Sequence, residues 1–196
     1  ELEAARLAKN GFKEIVLCGI CLGSYGKDLK AGKDLVDLIE RLERIDGLLR
    51  IRLSSIEAGD VSEELINKMA QSLPDRQAGK KLCKHLHIPI QSGDDKILKK
   101  MNRRYTVAHY KKLIKKIRQA MPEAKISTDI IVGFPGETKQ QFNNTVKLFK
   151  EIKFVNAYIA RYSPRPGTAA FKLTDDVPAE EKKRRWTALN DLINEK

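Results

Sequence analysis

Five short apolar runs, each closed by a loop of glycine, proline and small polar residues, constrain the fold of this chain more than any other feature. Glu14–Cys18, Leu49–Leu53, Leu82–Ile90, Lys125–Val132 and Phe154–Ala160 read as strands. Amphipathic stretches separate them. Asp34–Ile45 carries Leu35, Leu38, Leu42 and Ile45 on one face. Ser62 is placed to cap a helix running to Met69. A short helix opens at Asp94, and a longer one runs from Thr106 to about Met121-Pro122, with Val107, Tyr110, Ile114, Ile117 and Met121 in one stripe. Thr138-Lys-Gln-Gln141 is a capping box that opens a helix to about Ile152. A polar helix precedes the first strand and stops at Asn10-Gly11, and Pro178–Glu195 forms a last helix with Trp186 and Leu189 facing inward. Strands alternating with helices predict an α/β fold of parallel strands joined by right-handed crossovers. Since a helix comes first, a barrel of this kind holds five parallel strands and lacks its first.

The strand ends predict where a site lies. They read Cys18–Gly26, Ser54–Glu57, Gln91–Gly93, Gly133–Glu137 and Arg161–Arg165. Each supplies glycine, hydroxyl, amide or charge where a core would take aliphatics, and parallel α/β folds place their sites at this rim. Glycines there allow close approach of backbone to a ligand. Pro135-Gly136, before a helix N-terminus, is expected to turn backbone N–H groups toward an anion or an adenine edge.

Charge gives the second signal. The net charge is +12, and the segment Arg76–Arg118 holds 14 Lys and Arg against only Asp94 and Asp95, which leaves 24 of each sign elsewhere. An excess confined to one segment of an otherwise balanced chain points to a polyanion partner, RNA above all. Aromatic residues make up 6% of the chain, too few for a series of base-stacking platforms. No apolar run approaches the roughly 20 residues of a membrane helix, and the polar opening helix predicts no signal peptide and no membrane partner. Three cysteines cannot build a disulfide framework, which predicts a reducing, cytoplasmic setting. His85 and His87 point to one side of a strand without a third ligand in sight, and read as hydrogen-bonded interior residues.

The stretches Lys13–Gly26, Arg50–Glu57, His85–Asp95, Met101–Thr106, Thr128–Thr138 and Arg161–Thr168 resemble the radical S-adenosylmethionine (SAM) methylthiotransferases. Gly19-Ile-Cys-Leu-Gly-Ser-Tyr-Gly26 is most similar to the branch acting on N6-threonylcarbamoyladenosine in tRNA. The resemblance implies a partial (β/α)6-type barrel over residues 1–170, and a C-terminal helix or linker over 171–196 leading to an RNA-binding domain absent from this chain. It implies SAM at the C-terminal rim, with Gly19 where the family holds the methionine amino group. Ser54, Ser55 and Glu57 fall at the next rim, Gln91 and Ser92 near the ribose. Ile131–Glu137, with Gly133, Pro135, Gly136 and Glu137, falls near the adenine, as do Arg161, Tyr162 and Ser163. The implied reaction is transfer of a methylthio group to C2 of the modified adenosine beside the anticodon.

The basic segment then predicts phosphate contacts with tRNA by Arg103 and Arg104 first, and by Lys111, Lys112, Lys115 and Lys116. One departure from the family stands out. Its [4Fe–4S] cluster is held by Cys-x3-Cys-x2-Cys, whereas Cys18, Cys21 and Cys83 have no such spacing. The parent enzyme is therefore expected to carry clusters, and this chain alone to hold none and to be inactive. Isopentenyladenosine in tRNA and a ribosomal protein remain alternative substrates. A non-catalytic RNA-binding α/β module is the alternative of another class. An open barrel edge would favour self-association.

Overall fold

The computed structural model describes residues 1–28, 33–71 and 81–195. The elements are α1 (Leu2–Lys9), β1 (Glu14–Leu17), α2 (Leu35–Glu43), β2 (Arg50–Leu53), α3 (Glu63–Ala70), β3 (His85–His87), α4 (Asp95–Lys100), α5 (Val107–Ala120), β4 (Lys125–Val132), α6 (Lys139–Ile152), β5 (Asn156–Arg161) and α7 (Ala179–Asn194). The order is the one the periodicity predicts. The chain divides into two compact units, Glu1–His87 with Lys115–Lys125, and Ile88–Ile114 with Ile126–Lys196.

In the first unit β1 pairs in parallel with β2, Glu14 to Leu17 against Arg50 to Leu53. Parallel bridges Ile51–Leu82 and Ser55–His87 carry the next segment alongside β2. Alternation sends Ile51 and Leu53 into the core, nearly inaccessible, while Arg50 and Arg52 on the opposite face share the carboxylate of Glu14. Asp34 opens α2 with a capping box closed by Asp37, and Ser62 caps α3 by accepting from the Leu65 N–H.

In the second unit β4 and β5 pair in parallel from Ser127–Asn156 to Val132–Arg161. The Thr138–Gln141 capping box opens α6, whose Phe142, Leu148, Phe149 and Ile152 are buried, each stabilising by about 1.5–3 kcal/mol. Tyr110 of α5 is fully buried and its hydroxyl donates to Ile88 O at 2.9 Å.

Two expectations are corrected. The strand expected over Leu82–Ile90 is regular only at His85–His87. Pro89 has no N–H to give, and the Ile90 N–H donates to the Thr128 side chain instead of a backbone carbonyl. Gln91 then takes a left-handed φ of 71°. The chain still runs beside β4, with Gln91 N–H donating to Asp129 O at 2.8 Å. The second correction concerns α7. Leu189 is buried as expected, but Trp186 is 39% exposed, and its indole N–H donates to Ile159 O. Lys182 and Arg185 share the inward face with Leu189 and are only 7% and 4% exposed. Carboxylates are waiting there, so cations take the place of apolar anchors.

Candidate functional site

Beyond the ends of β4 and β5 the second unit holds a cavity of about 380 Å³. That lies within the range of about 300–1,000 Å³ of small-molecule sites. Phe134, just past β4, and Tyr162, just past β5, form an edge-to-face pair with centroids 5.1 Å apart. Ile97 completes their core, with Met101, Ile131 and Ala170 against it. The Tyr162 hydroxyl donates to Ala170 O at 2.9 Å, which fixes the ring. The rim is cationic: Lys100, Arg103, Arg161 and Arg165 line it, and no described acidic residue does. Ile131, Arg161, Tyr162 and Ser163, all expected near an adenine, are brought together here.

The Gly133–Glu137 loop behaves differently from the expectation for its N–H groups. Gly133 and Gly136 have φ of +70° and +74°, a region glycine enters without strain. The Gly133 N–H donates to Glu137 Oε2 at 2.6 Å and the Gly136 N–H to Asp176 Oδ1 at 2.6 Å. Both are thus engaged by carboxylates of the chain itself. Glu137 is 4% exposed and pairs with Arg185, Nη1 to Oε2 2.7 Å. Burial pushes the Glu137 carboxyl up from its ordinary value, against the pull of the Gly133 N–H and of Arg185. Lys100 reaches Pro135 O at 3.4 Å.

Gln91 and Ser92 are buried at the same end of this unit. Ser92 Oγ accepts from the Asp94 N–H at 3.2 Å, and Asp94 caps α4 while receiving the side-chain amides of Gln141 and Asn144. Gly93 serves packing. A Cβ there would meet backbone of α6, 2.8 Å from Thr145 N and 2.9 Å from Asn144 O.

In the first unit Gly19, Ser55 and Glu57 are exposed and Ser54 is half-buried. A larger cavity of about 550 Å³ there is lined by Tyr25, Lys27, Asp34 and Asp60 among others, and by none of these four residues. Cys18 and Cys21 are exposed, and Cys83 is half-buried; none forms a disulfide. Cys21 Sγ lies 3.3 Å from Ser24 Oγ. His85 Nδ1 is 3.5 Å from Arg52, and burial, then Arg52, lowers its pKa. Among the described residues no group of three His, Cys, Asp or Glu is arranged to hold a metal ion.

The basic residues divide. Arg104, Lys112 and Lys115 are exposed and Arg103 half-buried at the cavity. Lys111 is ion-paired with Glu151, Lys116 with Glu63 and Lys84 with Glu123, all acids outside the basic segment. Residues 76–80 of that segment lie outside the described residues. Lys100, which stands at the rim, and Lys182 and Arg185 behind it are not among the residues the sequence singles out, whereas Arg165 closes the last strand-end loop. Arg165 sits in the Arg161–Thr168 stretch and Lys100 beside Met101, so proximity to the strand-end motifs was the available signal. Lys182 and Arg185 gave none, being two of many charges in a polar helix.

A parallel α/β fold with its cavity at the strand ends defines a class of enzymes, and the comparisons narrow it. Residues 1–149 match the Radical SAM superfamily. Coproporphyrinogen III oxidase (HemN) from Escherichia coli, a radical SAM enzyme, has the same fold, with TM-score 0.66 and 15% identity over 97% of this chain and 44% of its own. The tRNA-2-methylthio-N(6)-dimethylallyladenosine synthase of Pelotomaculum thermopropionicum is 47% identical over 98% of this chain. Relatives of that name recur at 41% to 46% identity. The threonylcarbamoyladenosine tRNA methylthiotransferase MtaB of Thermotoga maritima is 41% identical over 96%. The chain spans 41% and 42% of the lengths of the Pelotomaculum and Thermotoga proteins. It belongs to the radical SAM superfamily and, within it, to the methylthiotransferase family.

Members of this superfamily use SAM and [4Fe–4S] clusters. The cavity fits the adenosine part of SAM, offering an apolar aromatic wall and polar surroundings. The described cysteines do not fit a cluster, since Cys18 and Cys21 have no third thiolate beside them and the motif Cys-x3-Cys-x2-Cys supplies three. Among the described residues no helix is long and apolar enough to cross a membrane.

Proposed function

We propose that this chain is the catalytic-core portion of a cytoplasmic tRNA methylthiotransferase, which places a methylthio group on C2 of an N6-modified adenosine beside the anticodon. The observation that carries the reading is the cavity beyond β4 and β5, with an aromatic pair for a wall and a rim that holds four cations and no described acid. When bound, SAM supplies the methyl group and, through reductive cleavage, the radical chemistry. Phe134, Ile131 and Tyr162 exclude water from the adenosine. Arg103, Arg161 and Arg165 offer charge to a carboxylate or phosphate at the mouth. Gln91, Ser92 and the Gly133–Glu137 loop hold the rim's shape. The exposed Arg104, Lys112 and Lys115 take tRNA phosphates, while Lys111 and Lys116 contribute less because acids already pair them.

The strand-end motif resembles the threonylcarbamoyladenosine branch, but the names of the relatives favour dimethylallyladenosine as substrate. Nucleoside mass spectrometry of tRNA from cells lacking the full-length gene tests both points. The 2-methylthio form should vanish and its precursor accumulate, and the precursor identifies the branch. Restoring the gene with Arg103→Ala and Arg104→Ala together should recover less of the modification than the parent gene does. An unchanged 2-methylthio content in the deletion strain would refute the function.

A further inference from the structure

We propose that α7, with Asp175 and Asp176 before it, is a positioning element of the cavity, and that Arg185 and Lys182 set how tightly an adenosine-bearing ligand is held. The proposal rests on the reading of that cavity as the SAM site. Residues 175–185 lie beyond the stretch that matches the superfamily, residues 1–149, yet both aromatic walls depend on them.

The first wall is Phe134, inside the Gly133–Glu137 loop. Three backbone groups of that loop are held from residues 175–185, directly or through one intermediary. Gly136 N–H donates to Asp176 Oδ1 at 2.6 Å. Arg185 Nη1 donates to Glu137 O at 2.9 Å and to Glu137 Oε2 at 2.7 Å. Glu137 Oε2 in turn receives the Gly133 N–H. Arg185 is itself steadied by Glu181, Nε to Oε1 2.8 Å, and lies 5.5 Å from the Phe142 ring centroid. The second wall is Tyr162. Lys182 Nζ lies 3.4 Å from Tyr162 O and 5.2 Å from its ring centroid, and binds Asp175 Oδ2 at 2.7 Å. The lysine stem passes so close to Gly133 that a Cβ there would lie 3.1 Å from Lys182 Cδ.

A helix that only had to cover the sheet would bury aliphatic residues. Burying two cations and a carboxylate instead costs desolvation free energy, which good geometry and further hydrogen bonds must offset. What the arrangement supplies is direction: each cation ends on a backbone carbonyl next to one aromatic wall. Without Arg185 the Glu137 side chain and carbonyl lose their bonds to α7, and the loop carrying Phe134 keeps only the Asp176 anchor on that side. Arg185 and Lys182 act through the walls and are positioning residues.

The test uses the full-length protein, with S-adenosylhomocysteine as probe. Isothermal titration calorimetry gives Kd at a temperature where every variant is folded, and thermal unfolding gives Tm. Arg185→Met should weaken binding about tenfold or more, as expected for loss of one charged hydrogen bond's worth of orientation. Arg185→Lys should fall between it and the parent, and Lys182→Met should weaken binding while leaving the Arg185–Glu137 pair in place. Leu189→Ala, one turn beyond Arg185 on the same buried face and with no polar group to bond the loop, should lower Tm without moving Kd. Parent-like Kd in folded Arg185→Met and Lys182→Met overturns the proposal. So does equal weakening by Leu189→Ala, which would make packing the sole cause. Should Arg185→Met not fold, Arg185→Lys and Lys182→Met decide by the same criteria. A parent that does not bind the probe overturns the cofactor reading of the cavity itself, a result distinct from variants that bind as the parent does.

Discussion

Replacing Gly93 by alanine separates two roles for a rim glycine. If Gly93 exists to let a ligand approach, Ala should spare stability and weaken binding. If it exists to let α6 approach, stability should fall. A Cβ at this position would stand 2.8 Å from Thr145 N and 2.9 Å from Asn144 O, and nearer still to Thr145 Cα. These are backbone atoms of a helix whose other contacts are buried aromatic and aliphatic side chains, so no rotamer change relieves them. To reach ordinary contact at 3.4 Å, α6 must withdraw by about 0.6 Å or more, which forfeits a quarter or more of the attraction at each separated contact. Overpacking of this kind costs about 1–3 kcal/mol, and stretching the Gly93 N–H···Thr145 Oγ1 bond adds about 0.5–1.5. Against this, alanine restricts the unfolded chain and returns about 0.4–1 kcal/mol. The net expectation is a loss of roughly 2–3 kcal/mol. The chain's one tryptophan, Trp186, reports on the same unit through its bond to Ile159 O, so urea unfolding followed by its fluorescence measures the change. Thr145→Val removes the acceptor without adding bulk and should cost about 1–3 kcal/mol, with the double variant less than additive. A Gly93→Ala midpoint within about 0.5 kcal/mol of the parent would refute the packing argument and return the glycine to the ligand.

Thr128 is fully buried; its hydroxyl accepts from the Ile90 N–H and lies 2.9 Å from Ile88 O. Thr128→Val should therefore cost about 2–4 kcal/mol in the same urea assay, and Thr128→Ser should recover most of it; equal losses would show that the methyl group matters instead. Glu181, bound by Arg184 and Arg185, has its carboxyl lowered from 4.5 to about 2. Being lower in the folded state, it contributes stability above pH 4.5 that disappears as pH falls toward 2. Acid titration of Tm should show a shallower decline across that window for Glu181→Gln than for the parent, and identical slopes would contradict the assignment.

The order of elements was legible because each is written within a few residues. Ser62 meets the Leu65 N–H and Thr138 the Gln141 N–H, three residues on, so the caps follow from spacing alone. The stripe Tyr110, Ile114, Ile117 and Met121 is buried for the same reason, one turn of helix at a time. The gathering of strand-end loops followed from the handedness of parallel crossovers, and it brought Ile131, Tyr162 and the Arg161–Arg165 loop to one cavity.

The sequence could not say which groups those loops would satisfy among themselves. The Ile90 N–H finds a hydroxyl 38 residues away, and the strand ends early in consequence. The basic segment is a local excess only along the chain: Lys111 and Lys116 meet Glu151 and Glu63, 40 and 53 residues distant. Nothing in the local sequence marks Lys182 and Arg185 for burial; they are buried because packing sets Lys182 against Asp175 and Arg185 against Glu137, 48 residues earlier. Periodicity, caps and turn residues act over one turn or one pleat, so sequence determines them. Which carboxylate meets which cation depends on where separate elements dock, and in a low-dielectric interior that meeting decides whether a charge is buried or left in water.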